Sequence, residues 1–133
     1  MKDYKIAGLR VSIEFADNTV NETLLPNFVP FKYQGTDTPV LTAAIVNDYP
    51  WDQDAKEIGL FDVGGSNHGV SRNSDGGYLF NVYDTSEHLC ARMQSNPDFS
   101  KCYIKVYEGT SSQRNYGLNN CMMMAYAFAT ATM

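Results

Sequence analysis

Basic side chains are scarce in this sequence: ten lysines and arginines stand against fifteen aspartates and glutamates, a net charge of −5 over 133 residues. The cations are scattered, and no run of them would neutralise successive phosphates, so no nucleic-acid partner is expected. Cysteine is scarcer still. Cys90, Cys102 and Cys121 are odd in number and far apart, and no CxxC pair occurs. Neither a zinc spacing nor a redox pair is present, and reduced, partly buried thiols in a cytoplasmic protein are the expectation. Long hydrophobic runs are missing as well. No stretch approaches the roughly 20 apolar residues that span a bilayer. The N-terminus, Met1 to Val11, has no apolar centre of signal-peptide length, so no membrane partner is expected either. Without a secretory signal, Asn21-Glu22-Thr23 reads as a chance glycosylation pattern.

Motifs that carry chemistry are also lacking. There is no GxxxxGK(S/T) loop to cradle a phosphate. Gly64-Gly65-Ser66-Asn67-His68-Gly69 lacks dinucleotide-binding spacing and precedes no helix, so a hairpin turn explains its glycines better. The histidines are His68 and His88. His68 has Asp62 and Arg72 nearby in sequence, and the three make a candidate polar patch in which His68 would be the general base. No paired nucleophile accompanies it, so a solvated strand histidine is the expectation. Asp52 and Asp54 have no third metal ligand within reach by sequence. Met122-Met123-Met124 would point in different directions on a helix and fill gaps in a core. No residue is assigned a catalytic, cofactor-binding or metal-binding role.

What the sequence does contain is enough for one globular module, with 44% hydrophobic and 19% charged residues. A chain of this length buries about two-thirds of its unfolded surface. Tyr4 to Phe15 alternates, with Leu9, Val11, Ile13 and Phe15 opposite Arg10, Ser12 and Glu14, and predicts a first strand. Leu24-Leu25-Pro26-Asn27-Phe28-Val29-Pro30-Phe31 is too proline-rich for a regular element and too apolar for water. It predicts an irregular segment pinned across the core or a sheet edge. Further strands are expected at Pro39–Asn47, Glu57–Val63, Asn67–Asn73, Tyr78–Tyr83, His88–Gln94 and Lys101–Glu108. Turns are expected at Gly64-Gly65, Ser74-Asp75-Gly76-Gly77 and Asn96-Pro97-Asp98, and a loop over Gly109–Arg114.

The last segment, Tyr116 to Met133, changes character. Its length and its alanine and methionine content predict a helix. The expected fold is therefore α+β: an antiparallel meander of about seven strands with one long C-terminal helix packed on it. That helix has almost no polar face and no Gly, Asn, Lys or Arg to end it. Three readings stand. The chain is the front part of a longer protein whose next domain covers the helix; the helix joins two copies of the chain; or a curved sheet wraps it. Met123, Tyr126 and Phe128 are the candidate partner-facing residues.

Tyr4-Lys5-Ile6-Ala7-Gly8-Leu9, the Leu24–Phe31 segment, and Asn119-Asn120 leading into Met124-Ala125-Tyr126-Ala127-Phe128-Ala129-Thr130-Ala131 resemble the N-terminal region of bacterial proteins related to HPr serine kinase/phosphorylase. The resemblance implies a cytoplasmic parent with a C-terminal domain of the PEP-carboxykinase type, in which ATP and Mg would be held. No residue for either carries over to this chain. The function implied here is non-catalytic: a regulatory or substrate-recognition module. Two alternatives come from the residues themselves. One is a ligand-binding β-barrel with Tyr78, Phe80, Tyr83, Tyr103 and Tyr107 lining its cavity. The other is a self-contained enzyme using His68.

Overall fold

The computed structural model describes residues 1–63 and 66–131, and for Val63 and Ser66 the backbone alone. Eight strands precede one helix: β1 (Lys2–Ile6), β2 (Leu9–Phe15), β3 (Leu41–Ile45), β4 (Lys56–Val63), β5 (Ser66–Arg72), β6 (Tyr78–Tyr83), β7 (Leu89–Ser95), β8 (Lys101–Val106) and α1 (Ser111–Thr130). They form a single sheet in the order β1-β2-β3-β8-β7-β6-β5-β4. The fold is α+β, with the helix on the sheet.

The expected first strand is two. Ala7 and Gly8 both take positive φ, 51° and 81°, and turn the chain back so that Ile6 pairs with Leu9. A two-residue hairpin with positive φ at both positions suits the twist of the paired strands. This raises the count from about seven to eight. The expected Gly64-Gly65 turn lies outside the described residues.

The sheet is mixed rather than antiparallel. β4 to β8 form the expected meander, but β3 runs parallel to both β2 and β8. Parallel neighbours need long crossovers, and residues 16–40 supply one between β2 and β3. It contains 3₁₀ turns at Glu22–Leu24 and Val29–Phe31 and buries Leu25 and Phe28. The pinning expected of this segment is visible at the β1 edge. Phe28 packs edge-on against Tyr4, the Tyr4 hydroxyl donates to Glu22 at 2.9 Å, and Tyr33 N–H donates to the Asp3 carbonyl at 3.0 Å.

Period two sorts the strands into two faces. Ile13, Ala43 and Cys102 lie in register on one side, as do Phe80, Met93, Ile104 and Ile45. α1 covers this side with a stripe of Gly117, Leu118, Cys121, Met122, Ala125 and Ala129, the spacing of one helical face. Full burial of Leu118 and of Met122 stabilises by about 1.5–3 kcal/mol each. The other side carries the β3–β4 link, residues 46–55. Tyr49 stacks on Tyr103 at 4.1 Å and Asp52 N–H donates to Gln94.

The helix starts earlier than its apolar content suggests. Thr110 accepts from Gln113 N–H at 3.1 Å, and the Gln113 side chain accepts from Thr110 N–H at 2.9 Å. This capping box turns most of the expected loop at Gly109–Arg114 into a cap and first turn. The barrel reading is corrected: β1 and β4 lie at opposite ends of an open sheet. Its aromatic set is split, Tyr78 and Phe80 facing α1 while Tyr103 alternates to the other face with Lys101 and Lys105.

Gly117 sets how closely α1 approaches β7. A Cβ there would lie 2.8 Å from the Cys90 carbonyl carbon and 2.9 Å from the Ala91 Cβ. Gly117→Val is expected to lower unfolding free energy by about 1–3 kcal/mol through overpacking. Urea denaturation checks this, and an unchanged midpoint would show that the helix does not press on β7.

Candidate functional site

The last turns of α1 pass over β6, where five aromatic rings surround an apolar hollow of about 430 Å³. Phe80 and Val70, from β6 and β5, line it from the sheet. Phe128 stacks on Phe99 at 4.9 Å and lies 6.1 Å from Phe80. Tyr78 also stacks on Phe99, at 5.4 Å, and Phe61 of β4 stands 6.3 Å from Phe80. The volume falls within the roughly 300–1,000 Å³ of small-molecule sites.

The turn between β7 and β8 places the central ring. Asn96 accepts from Lys101 N–H at 3.1 Å, and Asp98 accepts from Ser100 N–H at 3.0 Å. Hydrogen bonds from the Ser100 side chain and backbone hold the Asp98 carboxyl below its usual range. The closed turn leaves Phe99 with φ of 61° and its ring buried under Phe128. A left-handed phenylalanine is costly, and the surrounding rings hold it there.

The candidate partner-facing residues divide. Met123 is 65% exposed on the outer side of α1, and Phe128, 45% exposed, closes over the hollow. Five residues apart, they stand roughly 140° from each other around the helix. Tyr126 is turned to the opposite flank, where its hydroxyl donates to the Ile6 carbonyl at 2.9 Å. The hollow also uses Phe61, Val70 and Phe99, which no motif marked. The one signal for Phe99 was a large apolar residue directly after Asn96-Pro97-Asp98.

The candidate polar patch does not assemble. Asp62 pairs with Asn67 and His68 with Phe61, so Asp62 and His68 point to opposite faces. Arg72 is at the far end of β5, where it donates to the Gly76 carbonyl at 3.0 Å and lies over the Tyr78 ring. The solvated histidine expected at position 68 is instead 0% exposed. It shares the α1 side with Val70, and the Tyr116 hydroxyl lies 3.2 Å from its Nε2. Nδ1 is buried without a hydrogen-bond partner. Burial holds its pKa below the ordinary imidazole value.

Asp52 accepts from Ser74 N–H at 2.7 Å and from the Ser74 hydroxyl at 2.8 Å, tying the β3–β4 link to the turn after β5. The three thiols are buried and unpaired. Desolvation pushes Cys102 up to about 12 and raises Cys121 as well, so both are protonated at neutral pH. Comparison with family models, with curated proteins and with solved structures gives no match.

Because His68 is held neutral, the unfolded chain binds more protons than the folded one below the ordinary imidazole pKa of about 6.5. Its contribution is complete above that pH and is lost as pH falls toward the depressed folded value. His68→Gln, which cannot take up the proton, is expected to lose less stability between pH 7.5 and pH 5 than the parent chain. Urea midpoints at the two pH values measure this, and equal losses would contradict a buried neutral imidazole.

Proposed function

We propose that this chain is a non-catalytic recognition module of a cytoplasmic, nucleotide-binding protein of the HPr kinase-like type, and that it recognises its target through the aromatic hollow under Phe128. The observation that carries the recognition role is the ring of Phe61, Tyr78, Phe80, Phe99 and Phe128 around an open apolar space. Such a surface has most to gain from receiving an apolar group, since desolvating it stabilises by about 25 cal/mol per Å² buried. Met123 is exposed on a different side of α1 and is not part of the hollow.

The kinase-like assignment rests on the sequence resemblance. In this reading ATP and Mg are bound by another domain of the parent protein, and the present chain positions or regulates what that domain acts on. A second copy of the chain docking on α1 is the competing occupant, favoured by the same exposed Met123.

Two measurements test the proposal. The native chain is expected to bind the uncharged apolar fluorophore N-phenyl-1-naphthylamine at the hollow, and Phe128→Asp is expected to weaken that binding roughly tenfold, about 1.4 kcal/mol. Fluorescence titration reads this, and binding unaffected by the substitution would remove the hollow as the recognition surface. The reading frame beyond Met133 is expected to encode a GxxxxGK(S/T) loop; a frame without one would remove the kinase-like parent. Sedimentation decides between occupants, since a dimer dissociated by Met123→Asp identifies a second copy.

A further inference from the structure

We infer a second site, independent of the aromatic hollow, in the crevice at the carboxyl ends of β2, β3 and β8, suited to a small ligand bearing an oxyanion. The topology builds it. Phe15, Ile45 and Ile104 lie in register, so these three parallel strands end side by side. Their continuations then separate. The chain after β2 enters the crossover that packs against α1, where Asn119 donates to the Leu24 carbonyl at 2.7 Å. The chain after β3 leaves across the opposite face, where Tyr49 stacks on Tyr103. The chain after β8 returns to the first side as α1. Neighbouring strands whose connections depart to opposite faces leave an open crevice at their carboxyl ends, the position where open sheets bind ligands.

Here that crevice has a volume of about 770 Å³, within the range of small-molecule sites, roughly 300–1,000 Å³. Its lining mixes Leu89, Val106, Tyr107 and Glu108 with polar groups from each of the converging segments. Asp17 and Thr19 follow β2, Asn47 follows β3, Lys105 is on β8, and Arg114 is in the first turn of α1. Asp17 is only 6% exposed and is satisfied without a cation. It accepts from Thr19 N–H at 2.8 Å and from the Thr19 hydroxyl at 2.7 Å, and the Asn47 amide, assigned with its nitrogen toward Asp17, donates to it at 2.9 Å.

The cations are therefore left for something else. Arg114 donates to the Thr19 hydroxyl at 3.1 Å, to the Thr19 carbonyl at 3.5 Å and to the Tyr107 carbonyl at 3.4 Å. Lys105 donates to the Asn47 carbonyl. Among the described residues neither makes an ion pair; the pairs found are Arg10 with Asp3 and Lys32 with Glu22. Neutral acceptors thus fix both cationic groups on one cavity, and among the described residues neither is within ion-pair distance of Asp17 or Glu108, which also line it. An ammonium has three donors and a guanidinium five, so both retain N–H groups for a ligand. A carboxylate or phosphate oxyanion placed between the two cations pairs with both and accepts those hydrogen bonds. With only these two cations in a chain of net charge −5, the site fits a small anion and not a polyanion.

Isothermal titration of the whole chain with inorganic phosphate and, separately, with citrate tests the assignment. At least one is expected to bind at low ionic strength and to weaken as salt is added. Lys105→Gln and Arg114→Gln are each expected to reduce that affinity roughly tenfold, while Lys56→Gln, on the far edge strand, leaves it unchanged. Phosphate bound without citrate, or the reverse, selects the oxyanion. No binding of either anion overturns the site, as does binding that both substitutions leave intact. Lys105→Gln removes one hydrogen bond from a partly exposed side chain, so it remains informative if Arg114→Gln fails to fold. Neither substitution alters the hollow under Phe128, so failure here leaves the recognition proposal standing.

Discussion

The close approach of α1 to β7 at Gly117 is the contact on which the rest of the molecule depends. With no side chain at this position, the helix backbone settles onto Cys90 and Ala91. Leu118, Cys121, Met122 and Ala125 are then carried into the core. The same contact fixes both ends of the helix. Arg114 stands three residues before Gly117, at the crevice where the parallel strands end. Phe128 stands eleven residues after it, over Phe99 and Phe80. At 1.5 Å per residue, the two are roughly 21 Å apart along the axis. One helix thus contributes to a polar site at its start and to an apolar site at its end, and moving it would disturb both.

The two edges of the sheet are treated differently. β1 is charged, and the crossover covers it through the isolated pairing of Tyr4 with Lys32. β4 is the other edge, with no strand paired beyond it among the described residues, and it exposes Ile58, Leu60 and Phe61. A bulge between Glu57 and Gly59 disrupts its register, one of the devices by which edge strands are kept from pairing with other chains. Phe61 also takes part in the aromatic hollow, which accounts for one apolar residue on an otherwise vulnerable strand.

Much of the architecture was legible locally. Alternation locates β6 to β8 to within a residue or two, because a half-buried strand must show period two whatever its neighbours are. The proline-rich segment was recognisable as an irregular clamp because two prolines and five large apolar residues leave few other solutions. The capping box at Thr110 was legible too, as Thr-Ser-Ser-Gln before an apolar run, but the apolar run itself drew attention away from it. The polar sequence neighbours of His68 predict exposure, whereas the fold buries it beside Tyr116, 48 residues away. Separation in sequence likewise hides the hollow, whose rings come from three separate elements and one turn.

Composition, alternation and turn residues by themselves determined that this chain makes an α+β module with a sheet of about this size and a helix at its end. These are local properties, set by side-chain period and backbone restriction. Tertiary structure alone decided that β3 runs parallel to β2 and β8, since strand direction depends on where a long crossover returns the chain. It also decided which apolar residues of α1 are buried. A helix apolar on all sides contains no instruction about which face meets the sheet, and here the missing side chain of Gly117 makes that choice.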